Sequence, residues 1–473
     1  MVMGSLRQQS DVVVVGGGPG GYVAAIRAAD LGLDVCLVEE RKQLGGVCLI
    51  EGCIPSKTLI HAVEVLDAAR GAARFGVSIG EVSIDLETLR AHRFQVTEDL
   101  CTGIDQLLAK RGVEVLRARA RFESPRALAL EGSAVSAIDF KHCILATGSR
   151  VSELPFMKGL DLWTSTEALA LPEIPESLLV VGGGVIGLEL GTVYAGLGSS
   201  VSIIEMLPSL LPGADKDLVR VLEKASKAKL KAIMTRAKIH TVEKIGKRYV
   251  VSIERKGETS NHTFDRILVA AGRRPNTDNI AIENSGIKLN EGGLIPVGED
   301  CRSSQPHIFA IGDITPGPAL AHKASRQGKV AAELIAAKPS AFDNRAIPSV
   351  VYTDPEIAWV GLTQDEAKAR GRKVTVGRFP LSALGRARTI GRSEGYAKVI
   401  SDPNTDLLLG VGIVAPHASE LIAEACLAIE MGATLEDLAT TIHPHPTLSE
   451  TLAEAAEVAA GDAVHLLPPK KRS

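Results

Sequence analysis

The sequence predicts an α/β fold in which one β-turn-α-β unit occurs twice and a C-terminal α+β domain follows. Three observations carry that expectation. The stretch DVVVVGGGPGGYVAAIRAADLGLDVCLVEE, Asp11 to Glu40, reads as a β-branched strand, a glycine cluster, a helix-forming run and a second strand. The same grammar returns in SLLVVGGGVIGLELGTVYAGLGSSVSIIEM, Ser177 to Met206, as a duplicated unit and not a short-period array. From IPSVVYTDPEIAWVGLT onward, strands and helices continue without a glycine-rich loop, the pattern of a separate α+β domain.

In the first unit Gly16, Gly18 and Gly21 form GxGxxG directly after a strand and at a helix start. The first glycine permits the tight turn, the second lets a pyrophosphate approach the backbone, and the third lets helix and strand pack closely. The pyrophosphate then rests on the positive end of the helix. Glu39 closes the second strand, 23 residues after Gly16, where a carboxylate meets ribose hydroxyls. A ligand-free glycine turn is the competing reading, and the strand, helix and acid together argue against it. Gly182, Gly184, Gly187 and Glu205 repeat the pattern at the same spacing. No arginine directly follows Glu205, so a 2′-phosphate would meet a carboxylate without a cation, and NAD is preferred over NADP.

Two tandem dinucleotide units suggest a flavin beside a nicotinamide, since hydride passes between that pair. IFAIGD supports this, as an apolar strand ending in Gly312–Asp313 presents a carboxylate to the flavin's ribityl region. We therefore expect two tandem Rossmann-like dinucleotide-binding domains plus a C-terminal α+β domain. The expected boundaries are 1–150 for an FAD-binding domain, 151–278 for an NAD-binding domain, 279–348 for a central domain completing the FAD site, and 349–473 for an interface domain.

Composition narrows the function classes. A chain of 473 residues exceeds one core and divides into domains of ~100–200 residues. A net charge of −3 leaves no electrostatic footprint for nucleic acid or a membrane surface. Aromatic content of 3% argues against base stacking. No run reaches the ~18–20 uncharged apolar residues of a membrane span, and MVMGSLRQQS lacks the apolar segment of a signal peptide. The only basic cluster, PPKKRS, reads as a frayed tail. Seven scattered cysteines make no secreted disulfide framework. The expected setting is a reducing cytoplasm, with Cys36, Cys101, Cys143, Cys301 and Cys426 as small buried residues.

Cys48 and Cys53, in GGVCLIEGCIPSKTLI, are different. Five positions apart, they come close if the backbone there is helical or tightly turned. A metal would need two more ligands, and HPHP, whose prolines suit a turn, is the one other candidate pair. Inert buried thiols are the remaining alternative to a redox pair, and the redox pair is favoured.

At these motifs the chain resembles the flavin-dependent, class I pyridine nucleotide-disulfide oxidoreductases. The matching pieces include GGGPGGYVAAIRAADLG, GGVCLIEGCIPSK, LATGS, VVGGGVIGLELG, AAGRRPN, IFAIGDITPGPALAHKA, YTDPEIAWVGLT and AIEMGATLEDLATTIHPHPTLSE, in the family's order. The resemblance implies that Cys48 is the exposed interchange thiol and Cys53 the charge-transfer thiol beside the flavin. Lys57 matches the lysine beside the flavin and Glu189 its ion-pair partner. His445 matches the base that deprotonates a substrate thiol, and Glu450 the carboxylate that orients it; His443 reads as structural. Gly148, Asp313, Ala321 and Gly272 join the implied cofactor-binding set. Tightly bound, non-covalent FAD, NAD and no metal are implied, together with a homodimer whose active sites are shared between subunits and which makes the C-terminal α+β domain a dimerisation domain. The implied reaction is oxidation of dihydrolipoyl groups on the carrier domain of a 2-oxo acid dehydrogenase or glycine cleavage complex.

The pattern is broken at Val47, Ile50 and Glu51, where the family usually has threonine, asparagine and an apolar residue. Pro444, in place of the common alanine, is expected to stiffen the histidine loop. An acid between the cysteines is expected to raise thiol pKa. One alternative is a reductase of another disulfide or a metal ion, although no cysteine pair follows Cys426. The other is a non-catalytic flavoprotein subunit, against which the intact Cys48, Cys53, His445 and Glu450 argue.

Overall fold

A computed structural model describes residues 6–467, so the PPKKRS tail lies outside the described residues. The valine run that opens the first unit becomes β1 (Leu6–Val15), with Val12 to Val15 all buried. That is the burial of a parallel strand covered on both faces. Pro19 opens α1 (Pro19–Asp30) at a position where its missing N–H is no loss. The chain then returns through β2 (Val35–Glu39), parallel to β1. Three helices follow: α2 (Gly46–Glu51), α3 (Cys53–Arg70) and α4 (Leu86–Ala109). Asp85 caps α4 by accepting from the N–H groups of Glu87 and Thr88 at 3.0 and 3.2 Å.

β3 (Glu114–Arg117), β4 (Arg119–Ser124), β5 (Ala127–Glu131) and β6 (Val135–Leu145) complete a sheet ordered β3-β2-β1-β6-β5-β4. A short strand, β7 (Ser149–Val151), leads out of it.

The second unit contains α5 (Ser165–Ala170), β8 (Ser177–Val181), α6 (Val185–Leu197), β9 (Ser200–Glu205), α7 (Lys216–Ser226) and β10 (Ala232–Thr235). An antiparallel layer of β11 (Ala237–Ile245), β12 (Arg248–Arg255) and β13 (Glu258–Phe264) precedes β14 (Arg266–Val269). β10-β9-β8-β14 form a parallel sheet, and Tyr249, Val251 and Ile253 of the antiparallel layer bury its Leu179, Val181 and Ile267. β15 (Arg273–Pro275) pairs with β7, so an outgoing and a returning strand join the two units.

β16 (Ile308–Ala310), from IFAIGD, runs parallel to the Cys143–Leu145 end of β6, while β5 occupies the other half of that edge. The following helix, α8 (Ala321–Ile335), packs on α1. Ile280, Ile282, Ile287 and Ile295 share one core with Val13, Val15 and Cys143. β16 and these isoleucines thereby complete the first unit's sheet and core.

The C-terminal domain consists of β17 (Ser349–Val351), β18 (Glu356–Gly361), α9 (Gln364–Ala369), β19 (Thr375–Pro380), α10 (Gly385–Thr389), β20 (Tyr396–Ser401) and β21 (Leu408–Ala415), then α11 (Ala418–Met431), α12 (Leu435–Thr440) and α13 (Glu450–Ala460). Its antiparallel sheet is ordered β17-β18-β21-β20-β19. Fully buried Lys398, on β20, reaches Asp215 at 2.7 Å and Asp217 at 2.8 Å and ties this sheet to the second unit.

Among the described residues, one helical stretch is long and apolar enough by composition to cross a membrane, Gly46–Arg70. It is interrupted at Gly52, packs against α4 and α6, and carries the thiol pair.

Candidate active site

The two glycine loops are built alike. Gly16 and Gly182 take φ of +104° and +113°. A Cβ on Gly21 would stand 1.8 Å from the Gly16 carbonyl oxygen, and one on Gly187 would stand 2.0 Å from that of Gly182. Neither α1 nor α6 is capped by a side chain, so the N–H groups of their first turns remain free for an anionic ligand. Glu39 accepts from Gly17 N–H at 2.6 Å and Arg41 N–H at 2.8 Å; Glu205 accepts from Gly183 N–H and Leu207 N–H, both at 2.7 Å. Each acid therefore braces its own loop, and each carboxylate oxygen keeps a further lone pair for a ribose hydroxyl. Among the described residues no cation pairs with Glu205.

α2 ends at Glu51, Gly52 breaks the helix, and Cys53 starts α3. The break folds Cys48 toward Cys53 until each thiol acts on the other's titration. The neighbouring thiol and burial push the Cys48 pKa up. The Cys48 thiol pulls Cys53 down to about 7 against burial, and the charge of Lys57 pulls the same way. Both thiols line the cavity described below. Gly52 packs over Cys48, and a Cβ on Gly52 would sit 3.2 Å from the Cys48 Cα.

Glu51 does not stand alone between the cysteines. Arg41 Nη2 donates to Glu51 Oε1 at 2.5 Å, and Thr166 Oγ1 donates to Oε2 at 3.2 Å. The acid is paired, and the opposite shifts of Cys48 and Cys53 come first from each other.

Lys57 Nζ donates to Glu189 Oε2 at 2.8 Å, joining the thiol-bearing helix to α6. Tyr352 secures both partners: its N–H donates to Glu189 Oε1 at 3.1 Å, and its ring centroid lies 4.5 Å from the Lys57 ammonium. A second chain fixes Asp313. Arg273 Nε donates to Ser149 Oγ at 2.8 Å, and that hydroxyl donates to Asp313 Oδ2 at 2.6 Å. Sequence reasoning missed Tyr352, Ser149 and Arg273; each stands inside or next to a quoted motif, and only folding reveals its partner.

A cavity of about 2110 Å³ gathers Gly16, Gly18, Glu39, Cys48, Cys53, Lys57, Gly148, Glu189, Asp313 and Ala321 on one wall system. Val185 and Ile186 bring the start of α6 to it, while Gly21, Gly182, Gly184, Gly187, Glu205 and Gly272 lie off its lining. Its volume, the free N-terminus of α1 and the carboxylates of Glu39 and Asp313 suit a dinucleotide laid from the Gly16 loop past the thiols. His445 and Glu450 are also off the lining. His445 Nδ1 meets Glu450 Oε1 at 2.8 Å, Thr447 N–H donates to Glu450 Oε2 at 2.7 Å, and the imidazole is 78% exposed. Desolvation pushes the Glu450 pKa up, yet the Thr447 N–H and His445 hold it below the usual carboxylate range. His443 is nearly buried, between Glu424 Oε1 at 2.7 Å and the Thr441 carbonyl at 2.8 Å.

Residues 10–328 match the family model described as pyridine nucleotide-disulphide oxidoreductase, and residues 347–456 match that of its dimerisation domain. The dihydrolipoyl dehydrogenase of Thermus scotoductus is 48% identical over 97% of this chain and 99% of that protein. That of Geobacillus stearothermophilus is 45% identical over 99% of this chain and 100% of its own. Among solved structures, the HOCl-induced flavoprotein disulfide reductase RclA from Escherichia coli is similar with a TM-score of 0.84 at 25% identity, covering 95% of this chain and 99% of that one.

Proposed function

The chain belongs to the pyridine nucleotide-disulphide oxidoreductase family, and from that premise we propose a dihydrolipoyl dehydrogenase whose dithiol chemistry runs through Cys48 and Cys53. It is an NAD-dependent flavoprotein disulfide oxidoreductase, and its C-terminal domain is the family's dimerisation domain. The observation that carries the proposed chemistry is the thiol pair, with Lys57–Glu189 beside it, in the cavity that the Gly16 loop opens into.

The loop of Gly16, Gly18 and Gly21 and the start of α1 would hold the FAD pyrophosphate, Glu39 a ribose, Asp313 the ribityl chain, and Gly148 and Ala321 further cavity wall. Gly182, Gly184, Gly187 and Glu205 would hold NAD, with Gly272 at the adjoining turn. FAD supplies a two-electron relay from the enzyme dithiol to NAD, which leaves as NADH.

In the step before that relay, His445 of the partner subunit takes the proton from one substrate thiol through Nε2, while Glu450 on Nδ1 holds the imidazole and stabilises its charge. In the oxidised enzyme, where Cys48 and Cys53 would form a disulfide, the substrate thiolate attacks Cys48 Sγ, the Cys48–Cys53 S–S bond breaks, and Cys53 leaves as a thiolate. A pKa near 7 makes Cys53 a good leaving group, and Lys57 stabilises the charge it acquires. The second substrate thiol loses its proton and attacks the sulfur of its own chain in the mixed disulfide. Cys48 then departs as thiol, and the oxidised lipoyl group is released. Two electrons and the substrate disulfide balance.

The substrate we propose is a lipoyl group on the carrier domain of a 2-oxo acid dehydrogenase or glycine cleavage complex, met at the dimer interface in the cytoplasm. The alternative of a reductase acting on another substrate has less behind it, because relatives named dihydrolipoyl dehydrogenase match nearly the whole chain. Cys53→Ser is expected to retain FAD and to abolish NAD reduction by dihydrolipoamide; sustained turnover in that variant would refute the thiol assignment. Comparing kcat/KM across lipoylated carrier domains from each complex identifies the carrier.

A further inference from the structure

Glu51 introduces a carboxylate two residues before Cys53, inside the loop of the redox pair. Left alone, that charge would oppose thiolate formation. The fold compensates it through groups remote in sequence. Arg41, in the turn after β2, donates to Glu51 Oε1 at 2.5 Å, and Thr166, on α5 of the second unit, donates to Oε2 at 3.2 Å. Both carboxylate oxygens are occupied, and Glu51 is the only acid that Arg41 pairs with among the described residues. An ion pair with partners 39% and 22% exposed contributes little to stability, so stability alone gives no reason for it to lie here. Its location does: Arg41, Glu51, Thr166, Cys48 and Cys53 all line the one cavity.

We propose that Arg41 is a positioning residue for the redox pair. By holding Glu51 in an ion pair that Thr166 completes, it removes the acid's charge from the thiols and keeps Cys53 available as a thiolate. This rests on the dithiol chemistry proposed above. Lys57 and Glu189 act on the Cys53 thiol electrostatically, and the largely buried Arg273 guanidinium is acted on by Glu51, Arg41 and Cys53 alike. The device explains how this chain carries an acid between its cysteines where the family usually has an apolar residue.

The test is the pH dependence of Cys53 alkylation by iodoacetamide in dithiothreitol-reduced, FAD-containing protein, read by peptide mass. Arg41→Gln is expected to raise the midpoint by about one pH unit. Arg41→Lys, which keeps the charge, stays near the wild-type value. Arg41→Gln combined with Glu51→Gln returns to it, because no carboxylate is left to compensate. An Arg41→Gln midpoint equal to wild type overturns the proposal. So does a double variant as high as Arg41→Gln, since the arginine would then act on the thiols directly. Alkylation does not require lipoyl turnover, so a failure of the proposed substrate leaves this comparison intact.

Discussion

At the scale of single residues, the site works by setting the charge of one sulfur. Cys53 is pulled down to about 7, so its thiolate predominates above that pH and is lost as the pH falls through it. The reductive half-reaction, followed as NAD reduction at saturating dihydrolipoamide, is therefore expected to decline on the acid side of about pH 7. Lys57→Met removes the nearest cation and should shift the Cys53 alkylation midpoint up by about one unit or more. Tyr352 offers a finer probe, because it grips Lys57 with its ring and Glu189 with its N–H. Tyr352→Phe keeps both contacts and should match wild type. Tyr352→Leu loses a cation–π contact of about 0.5–2 kcal/mol and should raise the midpoint; an unmoved midpoint would assign Tyr352 to packing alone. His443 and His445 show how two histidines in one motif separate: the first is enclosed between Glu424 and a backbone carbonyl, the second presents its ring to solvent.

At the scale of elements, the two β-turn-α-β units share one construction and serve different ligands, so the same substitution in each should have separable effects. Gly21→Ala places a methyl group 1.8 Å from the Gly16 carbonyl and forces α1 off β1. The flavin-to-protein ratio of the purified chain should fall sharply. Gly187→Ala meets the Gly182 carbonyl at 2.0 Å and should raise KM for NAD while FAD stays bound. Equal flavin loss in both variants would mean that the loops are not specialised as proposed. The α2–α3 break at Gly52 is the other element that matters, since a continuous helix would carry Cys48 and Cys53 about 500° around its axis instead of folding them face to face.

At the scale of the molecule, three units meet at the thiol pair. Glu189 of α6 and Tyr352 of the C-terminal domain both hold Lys57 of the first unit. Further out, Lys398 joins Asp215 and Asp217 across two units with its ammonium fully buried. Lys398→Met strands two acids and should destabilise the chain by about 3–5 kcal/mol, measured by denaturant unfolding. The imidazole of His445 is exposed and off the cavity lining, as the proposed sharing of sites between subunits would have it. Co-refolded Cys53→Ser and His445→Gln chains should recover about a quarter of wild-type activity, because half the dimers are mixed and each holds one complete site. No recovery would mean that the sites are not shared.

The duplicated unit, the two acids that close their second strands, the thiol pair and the His445–Glu450 pair were legible in the sequence, because each is written in local spacing. Gly16 and Gly21 announce their turn, whereas the spacing of Cys48 and Cys53 left helix and turn both open, and the fold chose the break at Gly52. The sequence did not determine the return of Ile308–Ala310 to the first sheet, the grip of Tyr352 on Lys57, or the pairing of Glu51 with Arg41 and Thr166. Those depend on contacts between residues up to hundreds of positions apart, which no periodicity encodes. Glu51 shows the difference in one residue: local spacing places an acid between the thiols, and only the fold brings the cation and the hydroxyl that pair with it.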